Sequence, residues 1–345
     1  MKTAVVLFNL GGPDTQDAVR PFLFNLFNDP AIIGVPAPIR YALAAFLAAR
    51  RARTAREIYA KLGGGSPLLA NTRAQAAALE ARLADMGARS FIAMRYWHPM
   101  TDEAAAAVKA FAPDQVILLP LYPQFSTTTS GSSLAVWDHA AQAVGLGVPT
   151  RTVCCYPAEP GFVHAMAAST RAAYDEASRA GRPRVLFSAH GLPKKVVRGG
   201  DPYQWQVEQS AAAIVAALDI PDLDWTVCYQ SRVGPLEWIG PYTENEIDRA
   251  GADRVPIVLV PIAFVSEHSE TLVELDMEYG HRAAAHGVPA YKRVPTVSAH
   301  PAFIDGLARM VRAAGTWPAG GRSSADGTRI CPGTCGRCAA SIPAS

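Results

Sequence analysis

The chain has 345 residues, half of them hydrophobic and 18% charged, and its 32 basic and 30 acidic side chains leave a formal net charge of +2. That balance belongs to a globular protein with a sizeable core and excludes a disordered one. With no field of a single sign, nucleic-acid binding has no support, and at about 100–200 residues per domain the length points to two domains.

Along the chain, short apolar runs alternate with longer amphipathic or alanine-rich ones. Met1–Phe8 is apolar but too short for a signal peptide, and reads as the first strand. The next long apolar run, Ala31–Ala49, holds Pro36, Pro38 and Arg40. No membrane span is expected from it, and the protein is expected in the cytoplasm. Strands are predicted at Ala4–Asn9, Ser90–Tyr96, Gln115–Leu121, Thr150–Tyr156, Arg184–Ser188, Trp225–Tyr229, Val255–Phe264 and Ala290–Val294. Helices are predicted at Gln75–Met86, Gly161–Arg179, Glu208–Leu218 and Glu267–His286. Val116–Leu119 and Ile257–Ile262 are apolar on both faces, as strands of helix-covered parallel sheets are. The fold class is therefore α/β: two similar doubly wound, Rossmann-like halves, each a four-stranded parallel sheet flanked by helices, with an active-site cleft between them. Residues 1–158 form the first half, 159–314 the second, and 315–345 a Gly-, Ser- and Pro-rich extension.

Several segments carry chemistry. Ser188–Pro193 (SAHGLP) places His190 at a strand's carboxyl end, where an imidazole can bind a metal or take a proton near neutral pH. A loop histidine bonded to a carbonyl is the plainer reading. Glu267, Glu270, Glu274 and Glu278 follow the longest apolar strand at spacings of three, four and four. On an α-helix they make an acidic stripe about 16 Å long, which is also how a solvated face looks. Hydroxyls from Ser126 to Ser133 can cradle an anion at a helix start or merely cap it. Asn9–Pro13 lacks the spacing of a nucleotide loop. Of the six cysteines, Cys228 reads as core. Cys331, Cys335 and Cys338 form a C-x₃-C-x₂-C group, with Cys155 or its neighbour Cys154 the natural fourth thiolate. A soft cation, an iron–sulfur cluster or a structural zinc would each suit that set.

Taken together, these segments resemble the ferrochelatase family. The likeness runs in order through Asn9–Pro13, Lys61–Pro67 (KLGGGSP), Met94–Pro99 (MRYWHP), Leu121–Ser126 (LYPQFS), Ser188–Pro193, Tyr229–Pro235 (YQSRVGP) and Pro261–Leu272 (PIAFVSEHSETL). The resemblance implies an enzyme that inserts Fe²⁺ into protoporphyrin IX with release of two protons, the last step of haem biosynthesis. It implies that His190 and Glu270 bind the ferrous iron, and that Glu267, His268, Glu274 and Glu278 line an acidic path to it. It places Leu10 against the macrocycle, Arg51 (beside Arg50), Tyr59 and Ser66 at porphyrin contacts, and Trp238 on the cleft wall. The cysteine tail is similar to the [2Fe–2S] extension of animal and some bacterial members. It departs from the animal pattern in the fourth ligand, where this chain has Ala165. The apolar segment from Phe22–Phe27 through Ala31–Ile39 and Tyr41–Ala49, which includes Ile32 and Ile33, is expected to form a lip that touches the inner membrane peripherally. A chelatase for coproporphyrin III or another tetrapyrrole is the alternative enzyme. A two-lobed metal- or tetrapyrrole-binding protein, or an iron–sulfur sensor, is the alternative without catalysis. Oligomeric state is not legible.

Overall fold

The computed structural model describes residues 2–232, 234 and 236–340. Met1, Val233, Pro235 and the last five residues lie outside that set, so two residues of the Tyr229–Pro235 motif do too. The chain divides into two compact units. The first gathers residues 2–155 with Leu307–Ile330, Ala339 and Ala340, and the second gathers the described residues of Tyr156–Gly306 with Cys331–Cys338.

The first unit is built on a five-stranded parallel sheet of β1 (Thr3–Asn9), β2 (Ala88–Met94), β3 (Gln115–Pro120), β4 (Thr150–Cys155) and β9 (Arg322–Ser324), in the order β2-β1-β3-β4-β9. Every residue of β1 and of β3 is buried, as apolar strands covered on both faces must be. Helices α1 (Val19–Phe27), α2 (Ala37–Ala60), α3 (Leu68–Arg82), α4 (Thr101–Phe111) and α5 (Ser130–Ala143) flank it. The core centres on Phe8, Phe91, Leu118 and Trp137, with Phe8 and Trp137 meeting edge to face at 5.9 Å.

The second unit has a four-stranded parallel sheet of β5 (Arg184–His190), β6 (Asp224–Gln230), β7 (Ile257–Pro261) and β8 (Tyr291–Arg293), in the order β6-β5-β7-β8. Around it lie α6 (Pro160–Ala177), α7 (Lys194–Arg198), α8 (Tyr203–Leu218), α9 (Thr243–Asp253) and α10 (Tyr279–Ala285). A final helix, α11, spans Pro301–Ala314. The first four strands of each unit share one topology: the first lies between the second and the third, with the fourth beyond. This is the doubly wound arrangement, with the site expected at the strands' carboxyl ends.

Two local differences from the sequence reading have physical causes. The first sheet has five strands, not four. The extra one, Arg322–Ser324, has no apolar residue to signal it and is recruited by backbone pairing with β4 and by Ala325 N–H donating to the Cys155 carbonyl at 3.0 Å. The expected α-helix Glu267–His286 begins only at Glu270, and its first nine residues are a π-helix, Glu270–Glu278. Glu267 is held outside by Arg293 Nη1 at 2.9 Å and the Thr296 N–H at 3.0 Å. The Tyr291 hydroxyl donates to the Leu275 carbonyl inside the wide segment. Such i→i+5 turns are rare and gather at functional sites.

Candidate active site

His190 closes β5, the strand flanked by both β6 and β7. Its Nδ1 lies 2.7 Å from the Gly191 carbonyl. A carbonyl can only accept, so Nδ1 carries the hydrogen and Nε2 keeps its lone pair for a metal or a proton. Trp238 lies beside the ring, with centroids 6.3 Å apart at 56°. Gly191 makes that approach possible, because a Cβ there would sit 3.1 Å from the indole and 3.1 Å from the Gln230 carbonyl. Backbone bonds from Lys194 to Glu237 (2.8 Å) and from Ile239 to Leu192 (3.0 Å) hold the tryptophan segment against the loop after His190.

The π-helix brings the carboxylates. Glu270 opens it with Oε2 buried and without a hydrogen-bond partner among the described residues. One turn on, Glu274 accepts from Ser231 Oγ at 2.6 Å and from the Tyr279 hydroxyl at 3.1 Å. Burial raises the Glu274 pKa, and the negative charge of Glu270 raises it further; Ser231, His190 and Tyr279 pull it back. Glu274 therefore keeps its proton to higher pH than an ordinary glutamate. Glu278 ends the π-helix exposed to solvent.

His268 and Glu267 stand apart from this helix. His268 is buried, its ring 4.7 Å from Phe264, and desolvation lowers its pKa against the opposing pull of Glu270 and Glu267. It is held neutral. Glu267 is desolvated, but Arg293 beside it, with Thr271 and the Thr296 N–H, keeps its pKa below the usual glutamate value. His190 and Glu270 thus both lie within reach of the charge on Glu274, and both also act on the buried His268. The structure turns Glu267 toward Arg293 and leaves Glu278 in water. Tyr203, Ser231 and Tyr279, which surround the two central glutamates, carry no sequence signal of their own. Tyr203 is buried, which with Tyr229 and Glu270 nearby raises its pKa well above that of a free phenol.

Leu10, Arg51, Tyr59 and Ser66 belong to the first unit. Leu10 and Tyr59 pack in one cluster with Val19, Phe22 and Tyr96. Arg51 is exposed on α2, its guanidinium 5.8 Å from the Phe27 ring centre. Ser66 is set by its N–H donating to the Pro13 carbonyl at 2.7 Å, which joins the KLGGGSP loop to the Asn9–Pro13 loop.

The cysteine loop docks on the second unit. Arg337 N–H donates to the Gly200 carbonyl at 3.1 Å. Gly200 has φ +94°, and a Cβ there would lie 2.9 Å from Gly336 N, so both backbone shape and space call for glycine. Gln206 Nε2 donates to Cys331 Sγ at 3.1 Å. Cys154 Sγ and Cys155 Sγ lie 3.6 Å apart in the first unit. Three thiols in one short loop, one already receiving an N–H, have the donor chemistry of an iron–sulfur site. As placed, however, no group of three or more His, Cys, Asp or Glu side chains among the described residues is arranged to hold a metal ion. The donor set fits a cluster; its convergence is not seen. Ala165, where the animal pattern has its ligand, is fully buried in α6.

A family model described as ferrochelatase matches residues 2–314. A protein named ferrochelatase from Caulobacter vibrioides is 60% identical over 315 residues, covering 90% of each chain. One of the same name from Phenylobacterium zucineum is 55% identical over 344 residues, covering 98% of each. Among solved structures, SirB from Bacillus subtilis with Fe³⁺ superposes with a TM-score of 0.53 at 14% identity, covering 92% of this chain and 96% of that one, a likeness of fold.

Proposed function

Because the chain belongs to the ferrochelatase family and so is a metal chelatase, we propose that it inserts Fe²⁺ into protoporphyrin IX, as the haem-forming enzyme of the cytoplasm, at the site built around His190 and Glu270. The observation that carries this assignment is an imidazole whose Nε2 lone pair is left available and a buried carboxylate oxygen that has no hydrogen-bond partner among the described residues, both within reach of the charge on Glu274.

Metallation exchanges two pyrrole N–H protons for one Fe²⁺. His190 Nε2 takes a pyrrole proton. Glu270 offers the cation its carboxylate. Glu274, whose pKa lies above that of an ordinary glutamate, takes the second and passes protons outward past Ser231 and Tyr279. Glu267 positions the start of the π-helix through Arg293. Trp238 and Leu10 would supply apolar surface for the macrocycle, Tyr59 and Ser66 further porphyrin contacts, and Arg51 a partner for a propionate. Adding protoporphyrin IX and Fe²⁺ to the anaerobic protein should convert free-porphyrin bands to haem bands, and Glu270→Gln should not do so. Porphyrin bound but left unmetallated would point to coproporphyrin III or to a binding protein.

Cys331, Cys335 and Cys338, with Cys155 or Cys154, would hold a [2Fe–2S] cluster, for which the donor set and the docking of the loop on Gly200 and Gln206 speak. The cluster takes no part in the metallation steps above. Visible absorption before any substrate is added is its test, and a colourless protein with bound zinc would count against it.

Membrane contact is proposed for α2. Ile39, Leu43 and Phe46, spaced four and three apart, are exposed on one helical face, and Ile32 is exposed just before it. No helix among the described residues is long and apolar enough to cross a membrane. The expected result is that Ile39→Glu with Phe46→Glu greatly reduces co-sedimentation with anionic liposomes, while turnover of detergent-solubilised porphyrin persists. Unchanged sedimentation would refute the contact.

A further inference from the structure

Gln230 ends β6 in register with His190 at the end of β5, so the two side chains leave the sheet on the same face. It is 2% exposed. Its Oε1 accepts from Ser188 Oγ at 2.6 Å, and Ser188 is in turn linked to Thr243 at 2.9 Å. That bond fixes which end of the amide is which and points Nε2 away from Ser188. Nε2 is buried and has no hydrogen-bond partner among the described residues. A buried N–H left unpaired costs about 1–3 kcal/mol, so a native site that keeps one has a use for it.

The acceptors nearby narrow that use. Both oxygens of Glu274 are already engaged, one by Ser231, the residue next to Gln230, and one by Tyr279. Glu270 Oε2 is a buried acceptor without a hydrogen-bond partner among the described residues. Glu270 and His190 both act on the charge of Glu274, which places all three around the end of β6. Tyr229 also has an unpaired hydroxyl, but as the preceding residue of the strand it faces the other side of the sheet.

We propose that Gln230 is a positioning residue of the chelation site, its amide N–H donating to one oxygen of the Glu270 carboxylate when a divalent cation is held by the other. The inference rests on Glu270 as a metal ligand. Ligating carboxylates are commonly hydrogen-bonded from behind, and removing such a partner costs about 10–100-fold in metal affinity.

Titration of the full-length protein with Co²⁺, without porphyrin and followed by the visible cobalt spectrum, tests this directly. Gln230→Met, which keeps the volume and removes the donor, should weaken Co²⁺ about 10–100-fold. Its thermal midpoint should fall only slightly, because the donor it loses is unpaired and the Ser188 hydroxyl, on losing Oε1, keeps its link to Thr243. Its KM for the metal in the insertion assay should rise while its KM for porphyrin does not. Ser188→Ala, which frees the amide to rotate, should weaken Co²⁺ in the same direction but less. Should Glu270→Gln loosen Co²⁺ while Gln230→Met and Ser188→Ala do not, the Gln230 role falls and the metal assignment stands. Should Glu270→Gln bind Co²⁺ as the wild type does, the metal assignment fails and this inference with it. A Gln230→Met protein that loses stability and both KM values together would mark Gln230 as structural and overturn the proposal.

Discussion

His190→Ala is expected to lower iron insertion by about 10²–10⁴-fold, the range for loss of a positioned general base, and to leave the fold intact. His190 is only half-buried at a strand's end, and its ring bonds the adjacent Gly191 carbonyl at 2.7 Å, so little packing goes with it. Steady-state turnover with Fe²⁺ or Zn²⁺, beside a thermal melt, is the measurement. Retention of more than about a tenth of wild-type turnover would remove His190 from the chemistry. His268→Ala makes the contrast. That ring is buried against Phe264 at 4.7 Å and held neutral by desolvation, so its loss should appear first as lower stability from a cavity. If the two variants behaved alike in both assays, the separation of roles would be wrong.

The largest stability effect is expected in the first unit, at Asp29. This carboxylate is 2% exposed and accepts from Tyr96 Oη at 2.7 Å, Ser132 Oγ at 2.5 Å, Arg95 Nη2 at 2.8 Å and the Ala31 N–H at 2.8 Å. It pins the start of the apolar stretch to β2 and α5. Asp29→Ala strands a largely buried guanidinium and should cost about 3–5 kcal/mol in chemical denaturation. Replacing the partner as well, in Asp29→Ala with Arg95→Met, should recover part of that loss, because removing both members of a buried pair is cheaper than removing one. A single-variant cost under about 1 kcal/mol would show that the network is not holding the segment.

How far the sequence reveals this molecule depends on what kind of signal each part needs. Strands such as Val116–Leu119 and Ile257–Pro261 announce themselves because burial on both faces requires an unbroken apolar run. His190 is equally visible, since a strand end followed by Gly-Leu-Pro fixes its place in an α/β sheet. The acidic stripe is half visible. Spacings of three and four predict one α-helical face, but a π-turn has no residue signature, and Glu267 is drawn off by Arg293, 26 positions away. Asp29 and Ser231 act through long-range hydrogen bonds that no local pattern encodes. Nor does any pattern announce β9, three polar residues that pair because an open edge is there to receive them.

That last strand bears on how the tail can be studied. Chains shortened after the family-matched region, which ends at residue 314, would lose β9 together with the three cysteines. β4 would then become a naked border, with its row of unshared amides open to other chains. A shortened protein that clumps or works poorly would therefore say nothing about thiols. The scaffold function of the tail and its sulfur chemistry are separable only by point changes at Cys331, Cys335 and Cys338 that leave Arg322–Ser324 in place.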